Sequence, residues 1–311
     1  MIRKKPLGKR TAILIHGGAI KAAFAAGVLY ELSKLGLKTA DIIIGTSSSA
    51  PTAAYFIAQQ YDFIKSIWLN EVGTKEFVKY RNLLIGSPLF DVEYLIKKVF
   101  QDKYPLDIKQ VINSKGNLLI PLYDYKNGRL EIFSMKEKDM ENEFWHILQA
   151  AITIHDRHIL SGSSWEKFVD ADLDPFALYR QQIIPSSYNT MVITNHKHMA
   201  NDLKKWLGVR IFRLLQSRHF PKGVNAKLKI REKLITTGVD CFQKFREQYD
   251  PLIISPPSVL KLKPTSVLNR DNEKLETLFN AGVRVVRNMM ADAPTKDRLD
   301  AFIARSEEML N

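Results

Sequence analysis

The sequence predicts an α/β protein built on a mostly parallel sheet, followed by a basic, mainly helical C-terminal extension. Three observations lead there. Two short β-branched runs, at 11–15 and 41–44, each lead into a turn of small residues and then a helical stretch. An Asn-Gly step at Asn127-Gly128 separates two further apolar runs. Beyond residue 195 the charge balance changes abruptly.

Thr11 to Ile15 (TAILI) is apolar on successive residues, which suits a strand covered on both faces. Residues 21–35 read as a helix. Ala22, Ala23, Ala25 and Ala26 give it a small-residue face able to lie close to a sheet, and Gly36 ends it. Asp41 to Ile44 is a second buried strand. It runs into Gly45-Thr46-Ser47-Ser48-Ser49, and helical pattern resumes near Ala53. A strand, helix, strand, helix order implies parallel pairing through a right-handed crossover. Leu118–Tyr123 and Leu130–Phe133 flank the Asn-Gly turn as an antiparallel addition, and Met191–Thr194 is a late strand. The layered core is expected over residues 8–195. A second region, 196–311, is expected to be a basic helical extension packed on it. Within it Ile253–Leu262 reads as extended and Asn272–Arg287 as helical, before a short polar terminus.

Composition narrows the function classes. The 311 residues are 45% hydrophobic and 25% charged, ample for a sizeable core and unlike a collagen, coiled coil or disordered tail. A single cysteine, Cys241, rules out an internal disulfide and a thiolate zinc site. The net charge of +13 would attract an anionic surface. Arg3, Lys4, Lys5, Lys9 and Arg10 before the first strand imitate a secretory signal, but His16, Gly17, Gly18 and Lys21 break the apolar run. The chain is therefore expected in the cytoplasm, with a peripheral place at a membrane open to it.

The residues that carry chemistry cluster at the ends of the first two strands. A serine on a tight strand-to-helix turn projects its hydroxyl above the sheet, so Ser47 is the candidate nucleophile, with Gly45 and Ser48 beside it. His16-Gly17-Gly18-Ala19 follows the neighbouring strand and offers a second set of amide N–H groups, suited to a developing oxyanion or to a phosphate. Downstream, Val169-Asp170-Ala171-Asp172 places carboxylates at the end of an apolar pair. Taken together, Gly17-Gly18 with Lys21, the helix of residues 23–29, Gly45-Thr46-Ser47 and Val169-Asp170 resemble the patatin-like phospholipase family. The resemblance covers about residues 10–195, with further echoes at Ile253–Pro256 and Leu275–Gly282.

That resemblance implies a three-layer α/β/α core and a serine acyl hydrolase acting on lipid esters. Ser47 would attack the ester, Asp170 would take its proton without a histidine, and amides at Gly17, Gly18 and Ala19 would hold the oxyanion. Lys21 stands at the family's arginine and keeps its charge without the bidentate fork. No cofactor or metal is implied. Glycines of the family motifs are replaced here by Ala19, Ala22, Ser49, Ala171 and Asp172. Any of these positions that needs φ > 0 carries about 1 kcal/mol or more of strain. Asp172 would either support Asp170 as a base or draw it away from the serine. Two readings follow: an active Ser-Asp hydrolase, or a relative that keeps the fold to bind lipid or a protein partner.

The remaining candidates read more plainly. His196, His198 and His219 fit a Ser, Asp, His order, yet they sit among lysines and read as surface histidines. His155 and His158 flank Asp156-Arg157 and read as loop residues. Between Lys197 and Arg246, thirteen Lys/Arg face only Asp202, Glu232 and Asp240. With Trp206, Phe212, Phe220 and Phe242, this stretch is either a solvated basic face or a surface for anionic headgroups. Nothing beyond charge points to specific nucleic-acid binding.

Overall fold

A computed structural model describes residues 10–82, 88–153, 162–195, 234, 238–257, 260 and 271–311. His155, His158, His196, His198, His219, Trp206, Phe212, Phe220 and most of the basic stretch lie outside the described residues. So do Asp156 and Arg157.

The strands are β1 (Thr11–Ile15), β2 (Ile42–Gly45), β3 (Asn117–Asp124), β4 (Arg129–Ser134), β5 (Phe168–Asp170), β6 (Asn189–Ile193) and β7 (Leu252–Ile254). They form one sheet in the order β4-β3-β2-β1-β6-β7, parallel from β3 to β7. The Asn-Gly hairpin adds β4 antiparallel to β3, as the turn chemistry predicts. The α-helices are α1 (Ala23–Lys34), α2 (Ser49–Ile57), α3 (Tyr61–Asn70), α4 (Ile108–Asn113), α5 (Met140–Ala151), α6 (Ala177–Gln181), α7 (residues 238–249), α8 (Asn272–Ala291) and α9 (Ala293–Leu310). A π-helix spans Tyr94–Lys103.

Alternation along β1 makes the layers. Ile13 and Ile15 face a core shared with α1, α2, α3, α5 and α8, while Ala12 and Leu14 face Phe176, Tyr179, Phe245 and Tyr249 from α7 and the α6 region. The three-layer α/β/α arrangement is thus the one the motifs imply. Phe242 is partly buried and packs against the second layer, with its ring 4.9 Å from that of Tyr179.

Helix α1 is buried along eleven of its twelve residues because it lies between the sheet and α8. Its alanines allow the close approach to the sheet, and glycines allow the close approach to α8. A Cβ on Gly27 would run into the Phe279 carbonyl, and one on Gly282 into the Phe24 carbonyl. Next to this crossing Arg287 Nε donates to Glu31 Oε1 at 2.6 Å. The residues after 195 therefore return to the sheet through β7 and to α1 through α8.

Two element boundaries differ from the sequence reading. Helix α2 begins at Ser49, directly after the serine turn, rather than near Ala53. The C-terminus is helix α9 rather than a polar tail: Asp292 caps it by accepting from Thr295 N, and a proline occupies the first turn. Its Ser306 Oγ accepts from the backbone N–H groups of Lys38 and Thr39, at 2.8 and 3.0 Å, which fastens the helix to the chain entering β2.

Candidate active site

The pairing of β3 explains how two distant motifs meet. Its first half pairs with β2, ending at Ile44 opposite Leu119. Its second half pairs with β5 on that same side, since β4 occupies the other, and Asp170 stands opposite Leu122. Because β5 runs antiparallel to β3 and β2 runs parallel, the two strands point their C-terminal ends at each other across a short gap. Ser47 leaves one end and Asp170 terminates the other.

The gap is closed by a hydrogen bond. Ser47 Oγ donates to Asp170 Oδ2 at 2.5 Å, and both residues are buried. Ser47 sits at φ 55°, the left-handed conformation that lets a strand break sharply into a helix. Gly45 is the last residue of β2, and Ala53 and Ala50 pack directly on it. Asp170 is held on both sides: its N–H donates to the Thr153 carbonyl at 2.9 Å, and its Oδ1 accepts from Asp172 N at 2.8 Å. The orientation of this carboxylate therefore comes from the backbone around it. Asp172 has not drawn Asp170 away from the serine.

The glycine-rich turn lies alongside. Gly17 is wedged between Ser47 Cβ and the Asp172 carboxylate, and an added methyl would overlap both. Gly18, at φ 153°, and Ala19, at φ 50°, carry the chain into the 3-10 turn Ala19–Ala22, where Lys21 is buried and donates its N–H to the Gly18 carbonyl. Among the described residues no acceptor meets the backbone N–H of Gly17, Gly18 or Ser48. These are donors left unused beside the Ser47 hydroxyl. Ala19 is the one replaced glycine in the left-handed region, so the expected strain falls there alone. Ala22 has φ −66°, Ser49 opens α2, and Ala171 lies in a short 3-10 turn. Two hydroxyls also tie the serine turn to the glycine turn: Ser49 Oγ donates to the His16 carbonyl at 2.8 Å and Ser48 Oγ to the Ala19 carbonyl at 3.0 Å.

Several contributors carried no sequence signal. The His16 side chain is buried on the far face of β1, where its Nε2 is bonded to the Tyr179 hydroxyl and its ring stacks on that of Tyr179 at 5.6 Å. Burial lowers its pKa to about 4, so it is neutral. Burial also raises the Tyr179 hydroxyl well above its ordinary value. Asn195, just beyond β6, hydrogen-bonds to three backbone groups of the glycine turn and α1. These partners lie more than 160 residues away, so no local pattern announces them. Among the described residues no group of three His, Cys, Asp or Glu could hold a metal ion, and no helix is long and apolar enough to cross a membrane.

A family model described as patatin-like phospholipase matches residues 13–291. The chain is also similar to the uncharacterized protein YjjU of Escherichia coli (strain K12), at 27% identity over 88 residues. That alignment spans 28% of this chain and a quarter of the relative.

Proposed function

The chain belongs to the patatin-like phospholipase family, a family of lipid acyl hydrolases, and from that premise we propose that it cleaves carboxylic esters of lipids through an acyl-enzyme on Ser47. The observation that carries this reading is the 2.5 Å hydrogen bond from Ser47 Oγ to Asp170 Oδ2. As Oγ attacks the ester carbonyl carbon, its proton passes to Asp170. The carbonyl π electrons move onto oxygen, where the N–H groups of Gly17, Gly18 and Ala19 receive the charge. Collapse of the tetrahedral intermediate expels the alcohol, which leaves with the proton held by Asp170. Water then enters by the same route: Asp170 takes its proton, and the carboxylic acid departs as Ser47 regains its own. Lys21 adds positive charge next to the glycine turn. The basic region beyond residue 196 is proposed to hold the enzyme against an anionic membrane surface, where its substrate resides.

The test uses a p-nitrophenyl acyl ester and a long-chain phospholipid. Asp170→Asn is expected to reduce turnover by about 10² to 10⁴-fold, the range for loss of a general base, and Ser47→Ala, which removes the attacking oxygen, by about 10⁶-fold. A fluorophosphonate should label the native protein at Ser47. Turnover that survives both substitutions refutes the dyad. A second reading, a scaffold that binds lipid without cleaving it, draws on the left-handed Ala19, and it predicts neither labelling nor turnover in the native protein.

A further inference from the structure

We propose that Asn195 is a positioning residue that aims the amide cradle at Ser47; the inference rests on the acyl-hydrolase reading above. Asn195 is fully buried, two residues past the end of β6. Its Nδ2 donates to the His16 carbonyl at 2.5 Å and to the Gly17 carbonyl at 3.2 Å, and its Oδ1 accepts from Ala25 N at 3.1 Å. The partners fix which end of the amide points where, because two carbonyls can only accept and a backbone N–H can only donate. Ala25 lies in the first turn of α1, so the side chain also satisfies one of the donors that a helix N-terminus leaves open.

The aiming follows from peptide geometry. In a trans peptide the C=O of one residue and the N–H of the next point in opposite directions. A single amide that gathers the carbonyls of His16 and Gly17 therefore turns the N–H groups of Gly17 and Gly18 away from itself. Their direction is set by the strand. Ile15 O accepts from Thr46 N on the β2 side, whereas His16 N donates to Ile193 O on the β6 side. The His16 carbonyl thus faces Asn195, and the Gly17 N–H faces the end of β2, where Ser47 packs against Gly17. Ser49 Oγ holds the same His16 carbonyl from the helix above. Without Asn195 the Gly17–Gly18 peptide loses its anchor and the His16–Gly17 peptide keeps only the Ser49 hydroxyl, so the cradle loses its register on the oxyanion.

The experiment measures kcat and KM for a p-nitrophenyl acyl ester and for the matching thionoester, whose sulfur is a poor acceptor from an amide cradle. Loss of one oxyanion donor typically costs about 10² to 10³-fold in kcat. Asn195→Ala is expected to lower kcat for the ester by about 10²-fold with KM within about threefold, and to shrink the ester-to-thionoester ratio at least about tenfold. Ser49→Ala should shrink the same ratio less. A folded Asn195→Ala protein with an unchanged ratio overturns the proposal, since a merely structural side chain would not change which carbonyl analogue is favoured. If Asn195→Ala does not fold, Asn195→Asp decides, because it keeps the shape and the acceptor toward Ala25 N but replaces the donor to the two carbonyls, and an unchanged ratio in that folded variant overturns the proposal. Ser47→Ala separates the two levels: ester turnover that survives it removes the dyad reading, whereas turnover lost in Ser47→Ala with an unchanged ratio in the other variants removes this inference alone.

Discussion

Acid is expected to loosen the fold through His16, at pH values where carboxylates are still ionised. In the folded chain burial lowers the His16 pKa from 6.5 to about 4, whereas in the unfolded chain the imidazole titrates near 6.5. Between those two values the unfolded chain binds a proton that the folded chain does not. Stability from this residue is therefore complete above pH 6.5, is lost as the pH falls below it, and levels off near pH 4. At about 1.4 kcal/mol for each pH unit of separation, the full loss is about 3 kcal/mol. Asp41 and Asp124 also depend on pH. Burial alone would raise their pKa values, but hydrogen bonds from Arg305 and Thr11 in one case and from Asn127 and Lys167 in the other outweigh it and lower them. Their contributions are present above their unfolded value near 3.8 and are lost only below it. The assay is urea unfolding from pH 7 to 4.5, followed by the fluorescence of the four tryptophans, in the native protein and in His16→Gln. The variant is less stable at pH 7, and the gap between the two should close by about 1.4 kcal/mol per pH unit below pH 6. Parallel curves over the whole range would refute the reasoning.

Two further substitutions test the packing around the site. Gly282→Ala gains about 1 kcal/mol of helix propensity but drives a methyl into the Phe24 carbonyl, a backbone atom that no rotamer change can move. Overpacking of this kind costs about 1 to 3 kcal/mol, so urea unfolding should show a net loss of about 1 kcal/mol, and higher stability would contradict the tight crossing of α1 and α8. Ala19→Gly relieves about 1 to 2 kcal/mol of left-handed strain and adds about 0.5 to 1 kcal/mol of unfolded-chain entropy. The expected balance is a gain of about 0.5 kcal/mol with fluorophosphonate labelling undiminished, and a clear loss of stability would be the opposing result.

Sequence reading reached the parts of this molecule that local chemistry writes. The buried strands, the Asn-Gly hairpin, the serine turn and the glycine turn each announce themselves within a few residues, and Ser47 and Asp170 lie where those signals point. Helix α9 was missed although its Asp292 cap and early proline are local, because its polar composition masked them. Asn195, the His16–Tyr179 contact and the side of β3 on which β5 lands could not be found that way. Each is a meeting of segments fixed only when the sheet assembles. Local patterns pointed to the serine and the aspartate that the fold brings together, and long-range packing supplied the side chains around them.

The head-on meeting of β2 and β5 has a bearing on synthesis. The serine emerges from the ribosome more than a hundred residues before the carboxylate, and the asparagine behind the glycine turn emerges later still. A nascent chain displaying the first elbow holds an ordinary alcohol, no more reactive than any other. The bond between Ser47 and Asp170 thus forms only late in maturation, and a chain that stops short of β5 never acquires it.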